Sequence, residues 1–256
     1  MSRHPKPPAR EDSRDTARVH EVEKPAALIA RALAKDYGDG PALHPLDLRV
    51  EEHERVALIG HNGSGKTTFL RMATGLLEPA SGSVTVFGEA PGSMEARRRL
   101  SYLADTPTFY EDLSVWEHLE YTARLHGRAD WEQRAADLLG QLGIYERADD
   151  LPTRFSRGLK QKAAIALAFI RPFDLMLVDE PFVGLDAEGK EALLELFDEA
   201  SSAGASLVVA THELGFVNTT QRTIALRDGA LIFDGPSSQA EARGLVAVEG
   251  TAETDS

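Results

Sequence analysis

One stretch, Gly60-His61-Asn62-Gly63-Ser64-Gly65-Lys66-Thr67-Thr68, constrains this chain more than any other. It follows the apolar run Val56-Ala57-Leu58-Ile59 and precedes Phe69-Leu70-Arg71-Met72. Those flanks read as a strand before and a helix after, the context that a G-x-x-x-x-G-K-[ST] pattern needs to be a phosphate-binding loop. Glycines let the backbone curl round an anion with its N–H groups turned inward, at dihedrals that a side chain resists. The following helix aims its unbonded N–H groups and its positive dipole end at the same point. Lys66 is then placed to reach the β- and γ-phosphates, and the Thr67 hydroxyl to ligate Mg²⁺. A glycine-rich turn with a chance lysine would not require every pattern position to be filled between those flanks. The expected ligand is a nucleoside triphosphate.

Composition narrows the setting. A chain of 256 residues holds one large α/β domain or two small ones, with a substantial core either way. Twenty-eight basic against 41 acidic side chains give a net charge of −13, which argues against a surface made to hold nucleic acid. Cysteine is absent, so disulfides and cysteine-ligated metals are excluded, and a reducing cytosol fits. The longest purely apolar run, Ala163 to Ile170, is far short of the roughly 20 residues that cross a bilayer. No apolar core follows the amino terminus, so no secretory signal is expected and the chain reads as soluble and cytoplasmic. Residues 1–24 mix charges with prolines and lack apolar periodicity, the composition of a disordered extension. Residues 237–256 are small, polar and acidic and read as a flexible tail.

Between these ends the pattern is α/β. Ala26 to Asp36 and Leu46 to Val50 alternate as strands, Val56 to Ile59 leads into the loop, and Ser83 to Phe87 alternates again. These read as short antiparallel strands flanking one buried strand. From about Leu113 to Pro172 apolar residues recur at helical spacing, with Trp116 and Trp131 as core anchors and Gly127 and Gly143 as stops. Leu175 to Val178 and Leu207 to Ala210 are buried parallel strands joined by a helix over 187–203. They end in Asp179-Glu180 and Thr211-His212, so carboxylates and an imidazole emerge at carboxyl ends of strands, where open α/β sheets bind ligands. Ile224 to Leu226 and Leu231 to Phe233, joined at Asp228-Gly229, read as a closing hairpin.

Asp179 ends its strand where a phosphate-loop ATPase places the carboxylate that holds Mg²⁺, and Glu180 beside it is free to polarise an attacking water. With a complete phosphate loop upstream, this pairing resembles the ATP-binding cassette superfamily, specifically the nucleotide-binding subunit of transporters, over about Ala26 to Pro236. Phe155-Ser156-Arg157-Gly158-Leu159-Lys160-Gln161-Lys162 stands where that family carries its Leu-Ser-Gly-Gly-Gln signature. Ser156 and Gly158 match, whereas Phe155, Arg157 and Leu159 depart from it. A serine cap at a helix amino end still offers N–H groups to an anion. The resemblance implies that this anion is the γ-phosphate held by a second subunit, in a head-to-tail dimer to which Ser156, Arg157 and Gly158 contribute.

Further positions carry over one at a time. Tyr37 stands where the family places an aromatic on adenine, Asp186 of Gly184-Leu185-Asp186 in the loop that crosses between subunits, and His212 at the histidine that contacts the γ-phosphate. Asp105 occupies the usual place of a glutamine. Either it binds the metal with a charge where an amide would bind neutrally, or it only couples subdomains. Thr106 to Leu113, with Phe109 and Tyr110 adjacent, resembles the groove for a membrane subunit; the same aromatics could equally be buried under the helices.

The resulting expectation is a phosphate-loop NTPase core of α/β class, with an antiparallel β subdomain and an α-helical subdomain inserted over about 106–172. Its implied role is ATP hydrolysis with Mg²⁺, driving export through a separate integral membrane partner and working with a second ATPase subunit. Catalytic work is assigned to Glu180 and His212, and metal binding to Thr67, Asp179 and the alternative Asp105. A cassette ATPase of DNA maintenance is the rival, but it would insert long coiled coils where this chain has a compact helical stretch; one of translation would need two cassettes in one chain.

Overall fold

The computed structural model describes residues 26–38 and 40–245. The extension over 1–24 and the tail beyond 245 lie outside them.

Two sheets organise the chain. β1 (Ala26–Asp36), β2 (Pro41–Glu51) and β4 (Ser81–Val86) form a three-stranded antiparallel sheet in the order β2-β1-β4. β3 (Arg55–Ile59) belongs instead to a six-stranded sheet. There it lies parallel between β7 (Ser206–Ala210) and β8 (Arg222–Arg227). β6 (Leu175–Asp179) pairs with β7, β5 (Leu100–Leu103) with β6, and β9 (Ala230–Pro236) closes the other edge antiparallel to β8. The expectation that antiparallel strands flank β3 is therefore corrected. Val56 to Ile59 are buried on both faces, and such a strand pairs with the equally apolar β7 and β8, not with strands that keep one wet face.

The period of two sorts the core into two layers. Ala57, Ile59, Met176, Val178, Leu207 and Val209 face the helices. Val56, Leu58, Leu175, Leu177, Val208 and Ala210 face the antiparallel sheet and α1 (Lys66–Ala73). The short α2 (Met94–Arg99), with Ser93 accepting from Ala96 N, leads into β5. Both elements lack a periodic signature long enough to be read from sequence.

β5 and β6 are paired in register from Leu100↔Leu175 to Leu103↔Val178, so the chain between them leaves and re-enters the sheet at neighbouring strands. That excursion carries α3 (Val115–Leu125), α4 (Trp131–Gln141) and α5 (Arg157–Ile170). α3 starts on a reciprocal cap: Ser114 Oγ accepts from Glu117 N at 3.2 Å while Glu117 Oε2 accepts from Ser114 N at 2.7 Å. Trp131 is buried, and its ring lies 5.4 Å from that of the half-buried Trp116. α6 (Ala187–Ser202) and the short α7 (Leu214–Val217) complete the helical side.

Ser237 to Ala242 depart from the flexible tail expected over 237–256. α8 (Ser237–Ala242) docks on β8, with Ala240 fully buried and Ser237 Oγ bonded to Thr220 Oγ1 at 2.9 Å and Thr223 Oγ1 at 2.8 Å. Small polar residues read as tail because their burial depends on partners far away in sequence.

Phe197 on α6 joins the helical layers. Its ring lies 5.9 Å from Phe169 on α5, 6.3 Å from Phe182 after β6, and 5.3 Å from Phe216 on α7. Phe197→Ala is expected to cost about 3–5 kcal/mol, the usual range for emptying a buried phenylalanine site. In a urea titration the midpoint should fall while the slope stays unchanged.

Candidate nucleotide site

The carboxyl end of β3 opens directly into the glycine loop. Gly60 has φ +155, and a Cβ there would sit 2.3 Å from Leu226 O and 2.5 Å from Ser64 Oγ. Gly65, at φ +102, begins α1 without any side-chain cap, and a Cβ would stand 2.9 Å from Ala42 O. Both positions exclude a side chain, which leaves the helix amino end open to a ligand. Lys66 is 6% exposed and folds back over the loop, donating from Nζ to Gly60 O at 2.5 Å and His61 O at 3.4 Å.

Charged groups from the neighbouring strands meet this lysine. Glu180, one residue past β6, has φ +46 and donates its N–H to Ala210 O at 2.8 Å. Its Oε1 lies 3.3 Å from Lys66 Nζ, and its Oε2 lies 3.4 Å from His212 Nδ1. Burial pushes the Glu180 carboxyl up from its ordinary range, against the opposing pull of Lys66 and His212. A non-glycine residue at positive φ is costly, and here it turns a carboxylate towards the loop lysine.

Asp179 is 1% exposed, and neither of its carboxylate oxygens has a well-formed hydrogen bond. Burial raises its pKa; the nearby Thr67 hydroxyl lowers it and Asp105 raises it further. Burial likewise, with the charge of Asp179, pushes the Tyr102 hydroxyl up to about 12. A buried, unpaired carboxylate beside a hydroxyl and a second carboxylate is a hard-oxygen donor set that suits Mg²⁺. Among the described residues no three His, Asp or Glu side chains are grouped closely enough to hold a metal alone. Remaining ligands would come from phosphate and water, as is usual for Mg²⁺.

Asn62 to Thr68, Asp105, Asp179, Glu180, His212 and Arg157 line one open cleft of about 580 Å³. Gly60 and His61 line an adjoining cavity of about 430 Å³ that also touches His212. Tyr37 is not brought into the cleft lining. It is 59% exposed, with the Lys35 ammonium 5.5 Å from its ring centre. Ser156, Gly158 and Asp186 also lie outside the lining. Ser156 accepts from Leu159 N at 3.4 Å, and Asp186 caps α6 through Gly189 N at 2.8 Å while pairing with Lys162 at 3.0 Å. Sequence reasoning missed the support of the loop by Asp228-Gly229. Gly229 N donates to Ser64 O at 3.2 Å, and His61 Nε2 lies 3.2 Å from Asp228 Oδ1. The Asp-Gly pair signals a hairpin, but nothing in it says what the hairpin leans on.

A family model described as ABC transporter matches residues 43–183, from β2 through the phosphate loop to just past Glu180. The chain belongs to the ABC transporter family. It is 36% identical over 205 residues to the SkfA peptide export ATP-binding protein SkfE of Bacillus subtilis (strain 168), covering 79% of this chain and 86% of that one. A solved ATP-binding subunit of an ABC transporter superposes with a TM-score of 0.78 at 33% identity, over 87% of this chain and 95% of its own. A dimeric ATP-binding cassette in a post-hydrolysis state, bound to ADP and Pi, superposes with a TM-score of 0.75 over 82% of this chain and 98% of its own. At 24% identity that last likeness concerns the fold alone. This ABC subunit is thus an ATPase that powers transport. Among its described residues no helix is long and apolar enough to cross a membrane.

The buried charge of Asp179 has a measurable cost in the ABC subunit without ligands. Asp179→Asn keeps the shape and removes a desolvated charge, so the ligand-free protein should gain about 1–3 kcal/mol and melt higher. Mg-ATP should then stabilise the variant less than the wild type. Differential scanning calorimetry with and without Mg-ATP reads both; a lower melting temperature in the ligand-free variant contradicts the assignment.

Proposed function

We propose that this chain is the ATPase subunit of an exporter, working at the inner face of the cell membrane as one of a pair. The observation that carries this reading is the convergence of Lys66, Glu180 and His212 beside the unpartnered carboxylate of Asp179. Backbone N–H groups over Gly60 to Thr68 and the Lys66 ammonium would hold the phosphates, and Tyr37 would stack on the adenine once a nucleotide draws it in. Thr67 and Asp179 would hold Mg²⁺, with Asp105 contributing charge from the same cleft; the bound ion supplies neutralisation of the phosphate oxygens.

Glu180 orients a water towards the terminal phosphate and takes its proton, while His212 steadies the carboxylate and the departing phosphate. A carboxyl raised by burial holds that proton better than an exposed one. ADP leaves with the bridging oxygen as the water oxygen bonds to phosphorus. Ser156 and Gly158, at the amino end of α5, would meet the terminal phosphate of the second subunit, and Asp186 would lie where the two copies cross. Export is favoured by the likeness to a peptide export protein.

The membrane partner would dock over Thr106 to Leu113. Phe109 packs half-buried on the helical core, whereas Tyr110 stays exposed, its ring stacked 5.8 Å from that of His118. Beside them lies a cavity of about 260 Å³ lined by Tyr102, Thr108, Phe109, Leu167 and Arg171. Phe109 thus serves the core, while Tyr110 leaves a ring at the surface that a partner could cover. Purification from membranes should bring down a hydrophobic partner, and Tyr110→Ala should weaken that association without altering ATP affinity.

The chemical reading is tested by two substitutions. Lys66→Ala is expected to abolish nucleotide binding, because the triphosphate loses its main cation. Glu180→Gln should slow hydrolysis by about 10²–10⁴, the contribution of a positioned base, while ATP binding persists. The ATP-bound dimer should then accumulate on gel filtration with Mg-ATP. Normal phosphate release by a monomeric Glu180→Gln protein would show that another group activates the water.

A further inference from the structure

Arg157 departs from the family signature, and the structure places it in the cleft of its own chain. It lines the same opening as Lys66, Asp179, Glu180 and His212. Its guanidinium has no hydrogen bond or ion pair among the described residues, although three carboxylates, those of Asp105, Asp179 and Glu180, line that cleft. Lys66 is already engaged by Glu180 and by two loop carbonyls. Arg157 is the lining cation left uncommitted.

Arg157 is exposed, but the turn of α5 that carries it is fixed by packing. A Cβ on Gly158 would stand 2.6 Å from Gly184 O, so the first turn of α5 presses directly on the loop that follows Glu180. A Cβ on Gly184 would meet Arg157 Cγ, Cδ and Nε at 3.4–3.7 Å, so the stem of the arginine lies across a face that a side chain would fill. Gln161 Nε2 donates to Pro181 O at 3.0 Å, and Lys162 pairs with Asp186. Three successive attachments thus hold the start of α5 to residues 181–186, and with them Arg157 to the Glu180 end of the cleft. A guanidinium is the side chain suited to phosphate oxygens, through its fixed fork of donors.

We propose that Arg157 binds the terminal phosphate of the nucleotide held by its own chain, in cis, whereas Ser156 and Gly158 serve the partner's. This rests on the proposed function above. A group placed at the end of the cleft touches what ATP has and ADP lacks, so it would report the nucleotide state to α5 and the helical subdomain within one subunit.

The test uses Arg157→Gln in the full chain, with the imido analogue of ATP and with ADP as probes, both with Mg²⁺. Titrations are run at concentrations where light scattering shows monomers, and thermal melting checks the fold. Affinity for the imido analogue should fall about threefold to tenfold, as for one partly exposed charge-assisted contact, and affinity for ADP should stay the same. The difference should shrink at high salt, and Arg157→Lys should recover part of it. Equal affinity for the imido analogue in monomeric wild type and variant overturns the proposal, including the case in which only ATP-driven dimerisation is lost, since the contact is then in trans. A parallel fall for both nucleotides overturns it too, because the terminal phosphate is then not what Arg157 senses. Lys66→Ala separates this outcome from the broader reading: loss of both nucleotides there, with no change in Arg157→Gln, removes the cis contact and leaves the ATPase assignment standing.

Discussion

Parallel pairing of β3 with β7, and of β7 with β6, is the constraint on which the site depends. Leu58 and Asp179 share Ala210 as their Cα partner, so three strands end level at one edge of the sheet. The glycine loop, Glu180 and His212 leave that edge together. A slip of one residue in either pair would turn the apolar sets of a strand to the opposite layers. Both layers are dry, with Ala57 and Ile59 under the helices and Val56 and Leu58 under the second sheet, so the register is held from both sides. Site geometry here is a consequence of core packing.

The same edge concentrates charge that the core would otherwise exclude. Asp179 carries a buried carboxylate without a well-formed hydrogen bond, and Glu180 is held at positive φ with its carboxyl raised by burial. Each is unfavourable in the ligand-free protein, and the surrounding sheet over-determines both. A cation and a polyanion entering together would satisfy these groups at once. Affinity for the pair is then drawn partly from relief of the unliganded state.

The helical subdomain is joined to this edge more closely than an insertion between β5 and β6 requires. α5 touches the loop after Glu180 at Gly158, Gln161 and Lys162, and the Phe197 hub ties the far end of α5 to α6 and α7. A change at the cleft therefore has a packed route through the helical layer to Phe109 and Tyr110, which lie against His118 of α3. Coupling of chemistry to a membrane partner needs such a contiguous path between two sites.

Local rules were enough for much of this. The glycine loop, the apolar runs of β3, β6 and β7, the helical spacing of α3 to α5 and the Asp-Glu at a strand end are all short-range signals, because backbone dihedrals and strand burial leave their mark within a few residues. What the sequence could not carry was pairing and placement. The parallel partners of β3, the docking of α8 through Ser237 and Ala240, and the bracing of the loop by Gly229 depend on residues that meet only in space. Arg157 shows the limit most plainly. In sequence it is a departure from a signature, whereas the fold presses the start of α5 on Gly184, and the arginine stem crosses that glycine to line the cleft of its own chain.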